Sequence, residues 1–195
     1  MQLFLASTSP RRKMLLEQIG VEFQVLPQVA VDETPQALEN AKDYVQRLAQ
    51  AKAQVGWQQV ASAKAAVLGA DTVVLFEGGL LGKPASRAQA LANLQRLSGS
   101  QHRVLTAVAL CTPSGVEVQT VATQVIMRTL TLEQIERYVA TGEPFDKAGG
   151  YGIQGYGAAL VEAIEGCYSN VVGLPLAQTA HMLESAGVAI WQSRQ

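Results

Sequence analysis

The spacing of apolar positions changes repeatedly along this chain, and each change marks an element. Leu3-Phe4-Leu5-Ala6 is a short continuous apolar run that turns through Ser7-Thr8-Ser9 into Pro10-Arg11-Arg12-Lys13-Met14-Leu15-Leu16. Ser9 suits a helix N-cap and Pro10 the first helical position, whose N–H has no intrahelical partner anyway. A strand followed by a helix ending near Gly20 is therefore predicted. Phe23 to Leu26 reads as a strand stopped by Pro27. Val45, Leu48, Ala49 and Ala53 recur on one face and predict a helix over Asn40 to Val55, with Lys52 one turn after Leu48 and close to that face. Ala66 to Phe76 is a long β-rich run fit for a central strand, and Glu77-Gly78-Gly79 then turns the chain.

The second half continues the alternation. Ser86 and Gln89 form a capping-box pattern opening a helix that runs to about Leu97 and stops at Gly99. Arg103 to Thr112 and Val116 to Leu130 are two long strands joined by Pro113-Ser114-Gly115, a hairpin signal. Thr131 with Gln134 caps a helix ending at Gly142, and six of the sixteen residues from Gly142 to Gly157 are glycine. Ala158 to Ile164 reads as a strand, Pro175 to Ala186 as a helix and Val188 to Trp191 as a closing strand. The fold class predicted is α/β, with antiparallel pairing forced on part of the sheet by the hairpin.

Composition narrows the function more than the fold. A chain of 195 residues fits one large domain, or two lobes sharing one sheet, and can bury a proper core. A net charge of −1 leaves no electrostatic footprint for nucleic acid or an anionic membrane, so basic residues must act locally. No apolar stretch approaches the roughly 20 residues of a membrane span, and the N-terminus lacks a secretion signal pattern, so a cytoplasmic protein is expected. Cys111 and Cys167 fit no zinc or redox spacing; a disulfide stays open, and buried free thiols are the plainer reading. His102 and His181 are solitary and are assigned neither a metal nor a base role.

Candidate chemistry lies where charge interrupts apolar structure. Arg11 and Arg12 fall in the first turn of the first helix, where cations oppose the helix dipole. Free backbone N–H groups at that end, with two guanidinium forks, suit a polyphosphate or carboxylate. Asp71 sits inside Val67-Leu68-Gly69-Ala70-Asp71-Thr72-Val73-Val74, where an ionised carboxylate costs several kcal/mol unless paired, metal-bound or at an open sheet end. A structural salt bridge and a functional role are about equally good explanations of it. Glu77 to Pro84 superficially resembles a phosphate-binding P-loop, but Glu77 stands where the first glycine is required and Pro84 replaces the magnesium-binding hydroxyl. Lys83 remains a point charge in a stiff Gly-Lys-Pro turn. In the glycine-rich loop, backbone can approach a ligand closely, aromatic rings can stack on a base, and Gln154 offers an amide fork.

Together these strings resemble the Maf family of nucleoside triphosphate pyrophosphatases. The matching segments are Ala6 to Arg12, Asp32-Glu33, Lys52, Gly69 to Val74, Gly82-Lys83-Pro84, Gly142 to Gly149 with Gln154-Gly155, and Ser169 to Pro175. They occur in family order over nearly the whole chain, with no departure at the positions the family relies on. The resemblance implies a single domain over residues 1–195, related to the inosine-triphosphate pyrophosphatases: a long mixed β-sheet with flanking helices and a cleft between two lobes, in a homodimer. It also implies a hydrolase of acid anhydrides that converts a nucleoside triphosphate to the monophosphate and pyrophosphate with Mg²⁺ or Mn²⁺.

Arg12, Thr72 and Gln154 resemble the subgroup acting on dTTP and UTP, whereas a 7-methyl-GTP subgroup carries a glutamate at the position of Gln154. A uracil or thymine edge presents carbonyl acceptors around one N–H, which an amide fork can match; an acceptor-only glutamate better suits a donor-rich methylated guanine. On this reading Asp71 is the catalytic base or the ligand that lets the metal activate water, and Glu33 and Asp71 hold the metal. Ser9, Arg11, Arg12, Lys52, Thr72, Lys83, Asp146, Lys147 and Gln154 bind substrate. The alternatives are a 7-methyl-GTP pyrophosphatase and a nucleotide-binding regulator of cell division; house-cleaning of non-standard nucleotides fits the same chemistry. Neither nucleic acid nor a membrane is expected as a partner.

Overall fold

The structure, a computed structural model, describes residues 1–27, 29–60 and 62–192. Its elements in chain order are β1 (Gln2–Leu5), α1 (Pro10–Gln18), β2 (Phe23–Val25), α2 (Ala41–Val60), β3 (Ala65–Phe76), β4 (Gly79–Leu81), α3 (Arg87–Leu97), β5 (Gln101–Thr112), β6 (Gly115–Met127), α4 (Leu132–Ala140), β7 (Val161–Glu165), α5 (Tyr168–Val172) and α6 (Leu176–Ser185). The strands form one mixed sheet of order β2-β1-β3-β5-β6-β7, with β4 paired to β3. β1 runs parallel to both β2 and β3, while β4 is antiparallel to β3 and β7 to β6. Only two residues join β5 to β6, which leaves no path but an antiparallel hairpin. This is the mixed α/β architecture expected from the sequence.

The chain divides into two compact units: Met1–Asp71, Thr106–Val121 and Gly173–Gln195 in the first, Thr72–Leu105 and Ala122–Val172 in the second. The first unit buries Leu3 and Leu5 of β1, Leu15 and Leu16 of α1, Val45, Leu48, Ala49 and Ala53 of α2, and Met182 and Leu183 of α6. The second has its own apolar core: Val74, Phe76 and Leu81 from β3 and β4, Leu94 and Leu97 from α3, Val125 and Met127 from β6, and Ile135, Tyr138 and Val139 from α4.

Local chemistry explains most boundaries. Pro10 opens α1 with Ser9 as N-cap, although the Ser9 side chain makes no capping hydrogen bond. Ser86 Oγ accepts from Gln89 N–H at 3.2 Å, and Thr131 with Gln134 forms a complete capping box. Glu77 and Gly78 both take positive φ, the geometry of the tight turn between β3 and β4.

Three expectations need correction. Val188 to Trp191 is not a strand: Trp191 has φ 57°, and its N–H, followed by that of Gln192, donates to the Ile19 and Gly20 carbonyls at the end of α1. Ala158 to Ile164 is half right, because Tyr156–Leu160 winds as a 3₁₀ turn before β7 begins at Val161. α2 continues past Val55 to Val60, through Gly56. The short elements β4 and α5 carry too few residues to show a period. The two cysteines are free; Cys111 is buried, with its pKa pushed up to about 11 by desolvation, whereas Cys167 is only half-buried.

Candidate functional site

In the first unit, the placement of Asp71 follows from the close approach of α2 to β3. A Cβ on Gly69 would lie 2.4 Å from the Ala49 carbonyl and 2.5 Å from Ala53 N, so only glycine lets helix and strand touch there. Gly69 and Asp71 lie two residues apart on β3 and share a face. Lys52 stands between Ala49 and Ala53 on α2, so the contact at Gly69 delivers its ammonium to Asp71. Lys52 Nζ bonds Asp71 Oδ1 at 2.7 Å and Glu33 Oε1 at 2.7 Å. The side chains of Lys52 and Asp71 are 14% and 12% exposed, against 60% for Glu33. The ion pair answers the desolvation cost that the sequence posed at Asp71, and one face of the group stays open to water at Glu33.

Arg12 joins this cluster. Its Nε donates to the Gly173 carbonyl at 2.9 Å and its Nη1 to Ser7 Oγ at 3.2 Å. Desolvation lowers the pKa of its guanidinium; the charge of Asp71 opposes this, neighbouring Arg11 adds to it, and Glu33 opposes it. Thus Glu33, Lys52, Asp71, Arg11 and Arg12 form one electrostatic group at the head of α1, which Ser9 opens.

The loop bearing Glu33 is held by residues that sequence reasoning missed. Arg47 forks onto the Glu39 carboxylate, Nε to Oε1 at 2.7 Å and Nη2 to Oε2 at 2.8 Å. It also donates to the Asp32 and Thr34 carbonyls at 3.3 and 3.1 Å. Its guanidinium lies 5.4 Å from the centroid of the Tyr44 ring, and the Tyr44 hydroxyl donates to the Glu33 carbonyl at 2.8 Å. The Arg47 bonds hold the Glu39 carboxylate down to a pKa of about 2. Burial, then the charges of Asp71 and Glu33, raise that of Tyr44. Asp32, the other acid of the loop, accepts from Thr34 N–H at 2.9 Å and shapes the turn. A Tyr–Arg pair three apart on α2 was visible in the sequence; its reach back to Glu39 and residues 32–34 was not.

The remaining predicted residues belong to the second unit. Thr72 follows Asp71 on β3 and is half-buried. Lys83 is exposed, and the carbonyl of the preceding Gly82 accepts from Gly149 N–H at 3.1 Å, tying the Gly-Lys-Pro turn to the glycine-rich loop. Lys147 Nζ bonds Asp146 Oδ1 at 2.5 Å and the Glu143 carbonyl at 3.0 Å, so these two predicted substrate ligands are engaged with each other. Gln154 is exposed on the loop.

Glu143, not singled out by sequence reasoning, organises this segment. Its carboxylate accepts from Tyr156 N–H at 2.8 Å, Gly157 N–H at 2.9 Å and the Tyr138 hydroxyl at 2.9 Å. A Cβ on Gly155 would come within 2.1 Å of Glu143 Oε2, so a larger residue there would push the carboxylate out of this position. Burial pushes the Glu143 pKa upward, but the three donors outweigh it and the net shift is down. Below the loop, His102 Nε2 pairs with the Tyr151 hydroxyl at 2.6 Å, and desolvation lowers the His102 pKa to about 4.

Alternating helices and strands, with an anion-suited helix start beside a lysine-bridged carboxylate pair, mark a phosphate-handling α/β enzyme class. The chain belongs to the family described as Maf-like protein, whose sequence model matches residues 2–186. It is 52% identical over 192 residues to a dTTP/UTP pyrophosphatase of Alcanivorax borkumensis, covering 98% of this chain and 99% of that one. It is 49% identical over 189 residues to one of Methylobacillus flagellatus (97% and 94% covered) and 51% identical over 195 residues to one of a Shewanella strain (96% and 100% covered). Among solved structures, the Staphylococcus aureus Ham1 protein overlaps 65% of this chain and 72% of its own at 14% identity, with a TM-score of 0.44.

Proposed function

We propose that this protein hydrolyses dTTP and UTP between the α and β phosphates, giving the nucleoside monophosphate and pyrophosphate. The near-full-length relatives bearing that name support the substrate class. The observation that carries the mechanism is the convergence of Asp71 and Glu33 on one lysine beside Arg12.

Cleaving a phosphoanhydride is mainly a matter of positioning and charge neutralisation. Arg12, fixed by Gly173 and Ser7, presents its guanidinium to phosphate oxygens; Arg11, Lys52 and the N-terminal N–H groups after Ser9 add to that grip. The family resemblance offers Lys83 as a further point charge. Asp71, which pairs with Lys52 before substrate arrives, orients the attacking water and takes its proton. The family resemblance offers Gln154 as the residue that reads the carbonyl and N–H edge of the pyrimidine.

The donor set also fits a divalent cation. Two carboxylates alone make a poor cage, and the described residues contain no group of three or more acidic, His or Cys side chains arranged for a metal. Mg²⁺ and Mn²⁺ are commonly held by one or two carboxylates plus substrate phosphates, which is what Glu33 and Asp71 would provide. Such an ion would supply neutralisation of the phosphate charge and a lowered pKa for water.

Two substitutions test this reading. Asp71→Asn should nearly abolish turnover while the fold and nucleotide binding persist; near-normal turnover by the folded variant would remove Asp71 from its role. Gln154→Glu should change the preference among dTTP, UTP and 7-methyl-GTP more than the rate on the best substrate, and an unaltered profile would contradict the base-reading role.

A further inference from the structure

We propose that the Lys52 ammonium is an internal counter-cation that keeps Glu33 and Asp71 closed to divalent metal until a triphosphate draws it away. Metal and nucleotide then bind with positive cooperativity. The proposal rests on the reading of Glu33 and Asp71 as metal ligands given above and adds the order in which that site is filled.

Lys52 Nζ lies 2.7 Å from one oxygen of each carboxylate, so the two acids converge on a single cation that the protein itself provides. An ammonium at that distance takes up one oxygen of each carboxylate, neutralises much of their charge and repels a dication approaching the same pocket. Arg12, by contrast, is anchored: it is tied to the Gly173 carbonyl and to Ser7 Oγ. Lys52 hangs on a flexible four-carbon stem whose root is fixed where α2 packs on Gly69, so its ammonium can move while its backbone stays. A triphosphate carries more negative charge than the two carboxylates and offers the ammonium a better partner. Once Lys52 turns to the phosphates, Glu33 and Asp71 regain the charge and lone pairs that suit a hard cation. By linkage, metal then tightens nucleotide binding by the same factor by which nucleotide tightens metal.

The test is Mn²⁺ binding followed by electron paramagnetic resonance of the free ion, without nucleotide and with a non-hydrolysable α,β-methylene analogue of dTTP. The wild-type protein should bind Mn²⁺ weakly alone and, after subtraction of the Mn²⁺ that the analogue chelates without protein, at least about tenfold more tightly with the analogue, within the usual range of coupling between sites. Lys52→Met should bind Mn²⁺ alone at least about tenfold more tightly than wild type and gain less from the analogue. Lys52→Gln, which keeps a hydrogen-bond donor without the charge, should shift in the same direction and serves if the Met variant does not fold. Equal Mn²⁺ affinity of the wild type with and without analogue would overturn the proposal, as would Mn²⁺ affinity in the lysine variants no higher than wild type. Failure of every protein to bind Mn²⁺ even with bound analogue would overturn the metal reading itself.

Discussion

Glu143→Gln probes whether one carboxylate closes the glycine-rich loop. The change preserves size but replaces an acceptor-only group that receives three hydrogen bonds with an amide whose one end donates. The best amide orientation keeps its oxygen toward Gly157 N–H and the Tyr138 hydroxyl. Its NH₂ group then faces the N–H of Tyr156, a donor against a donor. One charge-assisted bond is lost and two become neutral. At about 1.5–3 kcal/mol for a bond to a charged group, and roughly half that for a neutral one, the sum is about 3–6 kcal/mol, which screening of this half-buried carboxylate brings down to about 2–3 kcal/mol. If the loss is felt globally, the melting temperature of a chain this size falls by about 4–10 °C. If the loop opens alone, its closed population falls about 30- to 150-fold relative to open and the loss appears as a raised KM more than a lowered kcat.

The pH dependence separates charge from shape. The Glu143 pKa is depressed in the folded state, so its stabilisation is complete above the ordinary carboxylate value of 4.5 and is lost as pH falls through the lower folded value. Urea unfolding of wild type and variant at pH 7 and pH 3.5 should therefore show a gap that narrows at the lower pH. Equal stability and equal KM at pH 7, or a gap unchanged between the two pH values, would refute the assignment.

Three further expectations follow from other parts of the molecule. Arg47→Met frees the segment carrying Glu33 and should lower kcat about 10- to 100-fold, as loss of groups that orient metal ligands generally does, and should also lower the melting temperature because it leaves the Glu39 carboxylate unpaired. Arg47→Lys lacks the fork and should recover little, and wild-type kcat in the Met variant would dismiss the clamp. His102 is 3% exposed with its pKa lowered to about 4, so the unfolded chain takes up a proton near pH 6.5 while the folded one does not. Its contribution should erode stability by about 1.4 kcal/mol per pH unit as pH falls from 6.5 to 4, and chemical unfolding of His102→Asn should lack that component. Gly69→Ala forces a Cβ to within 2.4 Å of the Ala49 carbonyl and should cost about 3 kcal/mol or more together with activity; a variant as stable as wild type would show that α2 need not sit so close to β3.

The fold was legible where period and punctuation agreed. α2 and β3 were readable from Val45, Leu48, Ala49 and Ala53 and from the run around Asp71 because each buries a regular face. The Val188–Trp191 segment misled because an apolar run carries no record of the backbone turn at Trp191, which long-range bonds to Ile19 and Gly20 dictate. At the site, Asp71 and Lys52 stood out as charges misplaced in apolar patterns, and burial with pairing is why. Glu39, Arg47 and Glu143 looked like ordinary surface charges. Their importance comes from partners eight to fifteen residues away that only the folded loops bring within hydrogen-bond reach.

The most direct test of the account is product analysis of the purified protein with dTTP, UTP, CTP, ITP and 7-methyl-GTP in Mg²⁺ or Mn²⁺. Stoichiometric monophosphate and pyrophosphate from dTTP and UTP, with little from the others, is the predicted result. Release of inorganic phosphate with the nucleoside diphosphate, or tight nucleotide binding with no turnover, would contradict it.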